Sequence, residues 1–426
     1  MTDKTIYSSH RWLMLLCTSV AIGSIYVDMI VYAPILGDIA KSLNVEMGAA
    51  ANLMMGFVLS VACVLIWGGV VCDKYGITVA LVLGLLCASV PAVMMPVLGK
   101  SYSTVFWGRL IQGASVGFIF GAIGPVSALW FPPEEQGLAG GIMFGSISLG
   151  STIGVVLSPA LYASIGSWQT VVAIMSAPGW IGIVLALLYT RRKPSVEVIN
   201  SLQAGMAVAG SQEEMTFGKA LTLPVTWIGA LLVVANAWGM YCLYNLVPPY
   251  LAAPSPMGVG LSAVTAGKLS LALTSVGIFA PFLGGMFFDK VAKGNPRPGV
   301  IIGFVLSGLF AYLLLADAVT GSMALLVGCL MLAGWGIPFM NPSLSAYIAM
   351  NYPPAIVGRM VGWWFGFGTF GGALGLYLGG KTIDAQGTFF WALAMISIAA
   401  VCGLVLIFLI GKGKGAAREV EAVEAT

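Results

Sequence analysis

Residues 131–166, FPPEEQGLAGGIMFGSISLGSTIGVVLSPALYASIG, align without a gap on residues 352–387, YPPAIVGRMVGWWFGFGTFGGALGLYLGGKTIDAQG. Six glycines coincide: Gly137, Gly141, Gly145, Gly150, Gly154 and Gly166 fall on Gly358, Gly362, Gly366, Gly371, Gly375 and Gly387. Two fainter echoes extend the match. GGVVCDKYG (68–76) returns as GGMFFDKVAKG (284–294), and Tyr26, Pro34 and Leu36 return as Tyr241, Pro249 and Leu251. Such repetition implies two related halves. In membrane proteins internal repeats mark secondary transporters, with the substrate site where the halves meet.

Composition fixes the solvent. The chain is 59% hydrophobic and 8% charged, with a mean hydropathy of +0.97. A soluble domain carries about 25% charged residues, so this is an integral membrane protein. The first apolar run is too long for a signal-peptide core and no Ala-x-Ala follows it, so no cleaved leader is expected. The seven cysteines (Cys17, Cys63, Cys72, Cys87, Cys242, Cys329, Cys402) lie scattered in apolar runs without a CxxC, which implies neither a disulfide frame nor a zinc site. His10 is the single histidine and sits at the membrane edge. No metal and no cofactor are therefore expected. No G-x-x-x-x-G-K-[ST] loop for nucleotide-driven pumping appears. An enzyme is not expected either, because clustered nucleophiles, acids or metal ligands at depth are missing.

A membrane span needs roughly 20 apolar residues. That rule places twelve, at 12–37, 48–71, 78–98, 104–128, 138–162, 168–190, 220–250, 263–287, 298–317, 322–349, 357–380 and 387–411. The expected organisation is an N-terminal six-helix bundle (1–190), a linker (191–217), a C-terminal six-helix bundle (218–412) and a short tail (413–426). Loop lysines and arginines divide fourteen to three between the two sides, the termini and linker lying on the basic side. By the positive-inside rule that side is cytoplasmic. The net charge of +3 thus reflects topology, and nucleic acid is not an expected partner.

Of the sixteen acidic residues, only Asp28 falls well inside an apolar span, in SIYVDMIVYAPIL (24–36). A carboxylate at that depth is costly unless protonated, paired or facing water, and so it is a functional candidate. Ser24, Asp28 and Tyr32 share one helix face at i, i+4, i+8. Arg109 enters the membrane in RLIQGASVG (109–117) about as far from the external face as Asp28, with Gln112 one turn on. The alternative for this pair is a fixed ion pair that only orders two helices. Lys268 is the third ionisable residue at depth: either a cavity cation facing an anionic substrate, or a lysine snorkelling to the interface. Tyr241, Tyr244 and Asn245 precede PPYL, where prolines are expected to break span 7 and free backbone groups for a cavity. Asn341 either satisfies a broken span 10 or touches substrate.

The chain resembles the major facilitator superfamily over nearly its whole length. Gly69, Asp73, Lys74 and Gly76 resemble that family's G-x-x-x-D-[RK]-x-G loop between spans 2 and 3, and Gly285, Asp289 and Lys290 its degenerate second copy. Ile77 and Thr78 stand where the family usually continues with basic residues. The resemblance implies an all-α fold of twelve transmembrane helices in two pseudo-symmetric six-helix bundles, with these loops gating the halves. RLIQGASVG resembles the family's span-4 motif, which implies that spans 1 and 4 are neighbours, that Asp28 carries a proton and that Arg109 is coupled to it. GSTIGVVLSPAL (150–161) lacks the clean G-P-x-x-G of the family's antiporters.

The reading is a proton-coupled symporter of the bacterial inner membrane, importing a small organic anion such as a carboxylate by alternating access. Substrate contacts are expected from Tyr32, Arg109, Gln112, Tyr241, Tyr244, Asn245 and Lys268. The expected partners are the anion, protons and the bilayer, and the expected state is a monomer. A proton-driven exporter of amphipathic compounds, or an anion exchanger, are the alternatives.

Overall fold

The computed structural model describes residues 8–192, 216–293, 295–352 and 354–410. No strand occurs among the described residues. Among the described residues, the longer helices are α1 Arg11–Ile30, α2 Met47–Tyr75, α3 Ile77–Val93, α4 Tyr102–Phe120, α5 Pro133–Ile165, α6 Ala177–Tyr189, α7 Pro224–Ala252, α8 Ala263–Ser275, α9 Pro296–Leu313, α10 Met323–Asn351, α11 Pro354–Gln386 and α12 Phe390–Leu409, with shorter helical segments between several of them. Ten helical stretches among the described residues are long and apolar enough to cross a membrane. The shorter apolar α3 and the 33-residue α11 occupy the places of expected spans 3 and 11. The chain is a multi-pass membrane protein. Most of the expected linker (193–215) and the whole of the tail (413–426) lie outside the described residues.

The repeat seen in the sequence is also a repeat of contacts. A Cβ on Gly113 of α4 would collide with the Phe57 carbonyl of α2, and one on Gly334 of α10 with the Leu273 carbonyl of α8. These are matched pairs: the α4–α10 offset of 221 carries 113 to 334, and the α2–α8 offset of 216 carries 57 to 273. Gly154 of α5 likewise meets Val27 of α1, and Gly375 of α11 meets Cys242 of α7. Association in lipid depends on close packing, and small residues allow it. The same backbone approaches therefore build both bundles.

The halves meet through α2 against α11 and α5 against α8. Toward the face opposite the termini this contact is backbone-tight. Gly48 has no room for a side chain against the Gly380 carbonyl and Asp384, and Gly267 none against Val155 and Pro159. The Gly48 N–H donates to Asp384 Oδ1 at 2.7 Å, and Thr152 donates to Thr274 at 2.9 Å.

Candidate functional site

The site starts where a helix stops early. Span 1, expected to run unbroken to residue 37, ends as α-helix at Ile30 and resumes as the 3-10 turn Ala33–Ile35. Pro34 has no N–H, so the Ile30 carbonyl loses its helical donor, and the last carbonyls of a helix lack intrahelical partners in any case. Donors come from neighbouring helices. Arg109 of α4 donates to the Asp28 carbonyl (2.8 Å), the Met29 carbonyl (3.0 Å) and the Leu53 carbonyl of α2 (3.3 Å). It also reaches Gln112 Oε1 at 3.1 Å, and its guanidinium carbon lies 4.4 Å and 4.6 Å from the ring centres of Tyr32 and Phe57. Ser158 of α5 donates to the Val31 carbonyl at 2.5 Å. A cation at a helix C-terminus is favoured by the helix dipole. Arg109 is thus a cap on α1.

That geometry corrects the expected side-chain pair. Arg109 holds the backbone of Asp28 rather than its carboxylate, because the interrupted helix presents carbonyls that need donors. Asp28 is fully buried, and neither of its carboxylate oxygens has a hydrogen-bond partner. The carboxylate still interacts electrostatically with Arg109 and Tyr32. Gln112 completes the group, donating to the Ala88 carbonyl of α3 at 3.4 Å. Asp28, Tyr32, Arg109 and Gln112 are therefore together, inside the N-terminal bundle.

The other half tests whether the fold requires this cluster. Carried across the repeat, Asp28 falls on Leu243, Tyr32 on Val247, Arg109 on Leu330 and Gln112 on Ala333. All four are buried apolar residues. There α7 runs without interruption through Pro248 and Pro249 to Ala252, so the expected break of span 7 is absent. The two prolines still remove the helical donors of the Tyr244 and Asn245 carbonyls. One half thus packs the equivalent space with aliphatic side chains, while the other buries a charged group at a cost.

A second cluster lies between the halves. Tyr26 of α1 faces Tyr241 and Tyr244 of α7. Tyr241 contacts Thr369 of α11, and Tyr244 contacts Ser148 of α5. Tyr26 and Tyr241 are repeat mates, and so are Ser148 and Thr369. The five hydroxyls consequently sit about the pseudo-twofold axis. Gly277 and Gly372 leave the space that Tyr244 and Tyr241 occupy. Asn245, one residue beyond, donates to the Tyr241 carbonyl at 2.7 Å and leaves its own buried Oδ1 without a partner.

The Major Facilitator Superfamily profile matches residues 18–298 and 259–425. The chain belongs to that superfamily. Similar proteins include the probable anion transporter 5 of Arabidopsis thaliana, 22% identical over 88% of this chain and 89% of that protein. The benzoate transport protein of Acinetobacter baylyi is 23% identical over 96% and 91%. The chloroplastic ascorbate transporter of Arabidopsis thaliana is 25% identical over 43% and 35%.

In this superfamily member the remaining expected residues are placed as follows. Lys268 is exposed six positions into α8, as is Leu271 one turn on, and Phe279, Phe282 and Leu283 of the helical segment that follows α8 are exposed too. An ammonium exposed beside apolar side chains near a helix end fits the snorkelling alternative for Lys268. Gly76 closes α2 with φ +88°, in the region that favours glycine. Lys74 is exposed with its ammonium 5.3 Å from the Tyr75 ring centre. Gly285 approaches Pro342, and Lys290 is exposed. The surroundings of Gly69 and the side chains of Asp73 and Asp289 lie outside what the structure describes. Thr78, standing where the family is basic, donates to the Thr190 carbonyl at the end of α6 (2.9 Å). Asn341 accepts from Asn236 of α7 at 2.8 Å within an unbroken α10, an internal crosslink of the C-terminal bundle.

Three features escaped the sequence reading. Ser148 and Thr369 are repeat mates carrying the same hydroxyl chemistry, which was the available signal. Asp384 is four residues beyond the expected end of span 11 and gave none.

Proposed function

We propose that this protein is a proton-coupled symporter that carries a small organic anion inward by alternating access, its termini on the cytoplasmic side of a bacterial inner membrane. The observation that carries the reading is the buried Asp28–Arg109–Gln112–Tyr32 cluster, whose mates in the other half are Leu243, Leu330, Ala333 and Val247. Charge balance supplies the coupling. With Asp28 ionised, the cluster is neutral overall; once Asp28 takes a proton, Arg109 leaves one positive charge inside low-dielectric protein. An entering anion compensates that charge, and charges at such depth interact far more strongly than in water. Proton and anion therefore load together and leave together. The hydroxyls of Tyr26, Tyr241 and Tyr244 supply neutral donors for the anion where the halves meet. The names of the similar proteins (anion, benzoate and ascorbate transporters) support an anionic substrate. Lys268 no longer supports it.

The test is uptake into proteoliposomes under an inward proton gradient, with benzoate and gluconate as probes. Asp28→Asn should lose uphill accumulation while retaining anion counterflow. Uphill accumulation by Asp28→Asn at the parent rate removes Asp28 from coupling.

A further inference from the structure

We infer that the transported anion carries a flat apolar body, seated on phenylalanines one turn below the hydroxyls. This rests on the anion reading above. On α5 the exposed residues Ile142, Leu149, Ile153 and Leu157 form one outer stripe. At 3.6 residues per turn, Phe144 lies on the opposite side of the helix from that stripe. It shares the inner face with Ser148 and Thr152, which contact Tyr244 and Thr274 of the other half. Yet Phe144 is 38% exposed, whereas Ser148 is 3% exposed. An inward-facing side chain with open surface borders internal space, so the halves part just below the hydroxyl tier, toward the terminal face.

The walls of that space are aromatic. Phe120 of α4 lies 6.3 Å from the Tyr26 ring and 6.3 Å, edge-on, from Phe144. The repeat mate of Phe144 is Phe365, half-buried on α11 and opposite the outer stripe of Phe370, Leu374 and Tyr377. Phe365 also lies one turn below Thr369, whose hydroxyl donates to its carbonyl at 2.7 Å. The pseudo-twofold axis thus carries two tiers: tyrosine, serine and threonine hydroxyls, then a phenylalanine from each half. A carboxylate takes donors from the first tier. An aromatic ring takes edge-to-face and stacked contacts from the second, where a polyhydroxylated body would leave its own hydroxyls without partners.

The experiment is binding to purified full-length protein, by thermal shift and calorimetry, with benzoate, cyclohexanecarboxylate, gluconate, inorganic phosphate and benzyl alcohol. Benzoate should bind at least tenfold more tightly than gluconate. Phe144→Leu should weaken benzoate about fivefold, the value of one aromatic pair, with gluconate changed less than twofold and the ligand-free unfolding midpoint preserved. Phe365→Leu should act in the same direction. Benzoate binding no more tightly than gluconate, or weakened no more than gluconate by both variants, overturns the aromatic seat and leaves the anion reading intact. Benzyl alcohol binding as tightly as benzoate overturns the anion reading and leaves the seat intact.

Discussion

Replacing the charged residues of the N-terminal cluster by their mates from the C-terminal half isolates what the charges contribute. Arg109→Leu removes three guanidinium–carbonyl bonds, to Asp28, Met29 and Leu53. At about 1.5 kcal/mol for each charge-assisted bond, the loss is roughly 4–5 kcal/mol. A buried Asp28 without its cation adds a further cost, since breaking one side of a buried pair leaves an uncompensated charge. The double variant Asp28→Leu/Arg109→Leu loses the same three bonds but no longer buries a charge. It should recover about 2 kcal/mol relative to Arg109→Leu, a coupling within the range for residues in one network. Thermal unfolding of the four proteins of the cycle, purified in one detergent, reads this directly: the double variant should unfold above Arg109→Leu and below the parent. It should fold, and it should not couple transport to protons. Arg109→Leu unfolding with the parent, or the double variant unfolding no higher than the single one, refutes the argument.

Lys268→Gln should change the apparent affinity for any transported anion less than twofold, measured as uptake in proteoliposomes; a tenfold loss would return Lys268 to the substrate path. Gly48→Ala should force the Gly380 carbonyl and Asp384 away from α2, raising the reactivity of a cysteine placed at Asn52 toward a membrane-impermeant maleimide. Unchanged labelling would contradict backbone closure there. Asp384→Ala removes the acceptor of the Gly48 N–H and should raise the same labelling, Asp384→Asn less so because its amide oxygen still accepts. Gly229→Ala should destabilise the C-terminal bundle by about 1–3 kcal/mol through overpacking against the ring of Trp364, seen as a lower unfolding midpoint.

The helices and the repeat that relates the halves were legible because glycine spacing and apolar runs carry them locally. Asp28, Arg109 and Gln112 were legible for the same reason: a charge in an apolar run stands out. How Arg109 uses Asp28 was not, since that depends on where α1 breaks, and the same proline pattern interrupts α1 but leaves α7 continuous. Lys268 shows the limit most clearly. Its depth could be counted in residues, but the side of α8 that it occupies is set by packing against α5. Ser148 and Thr369 are ordinary small residues until Tyr244 and Tyr241 are seen beside them, and Asp384 matters only because Gly48 lies across the seam.

The apolar replacements at Leu243 and Leu330 have an electrical consequence. Among the described residues, the C-terminal bundle buries no Asp, Glu, Lys or Arg side chain. In the proposed cycle, the charge displaced across the membrane is therefore that of Asp28, Arg109 and the anion. An elementary charge crossing the full membrane potential gains or loses about 2.3 kcal/mol per 100 mV. On that cycle the sensitivity of turnover to voltage should be a property of one bundle and should follow the protonation state of a single carboxylate.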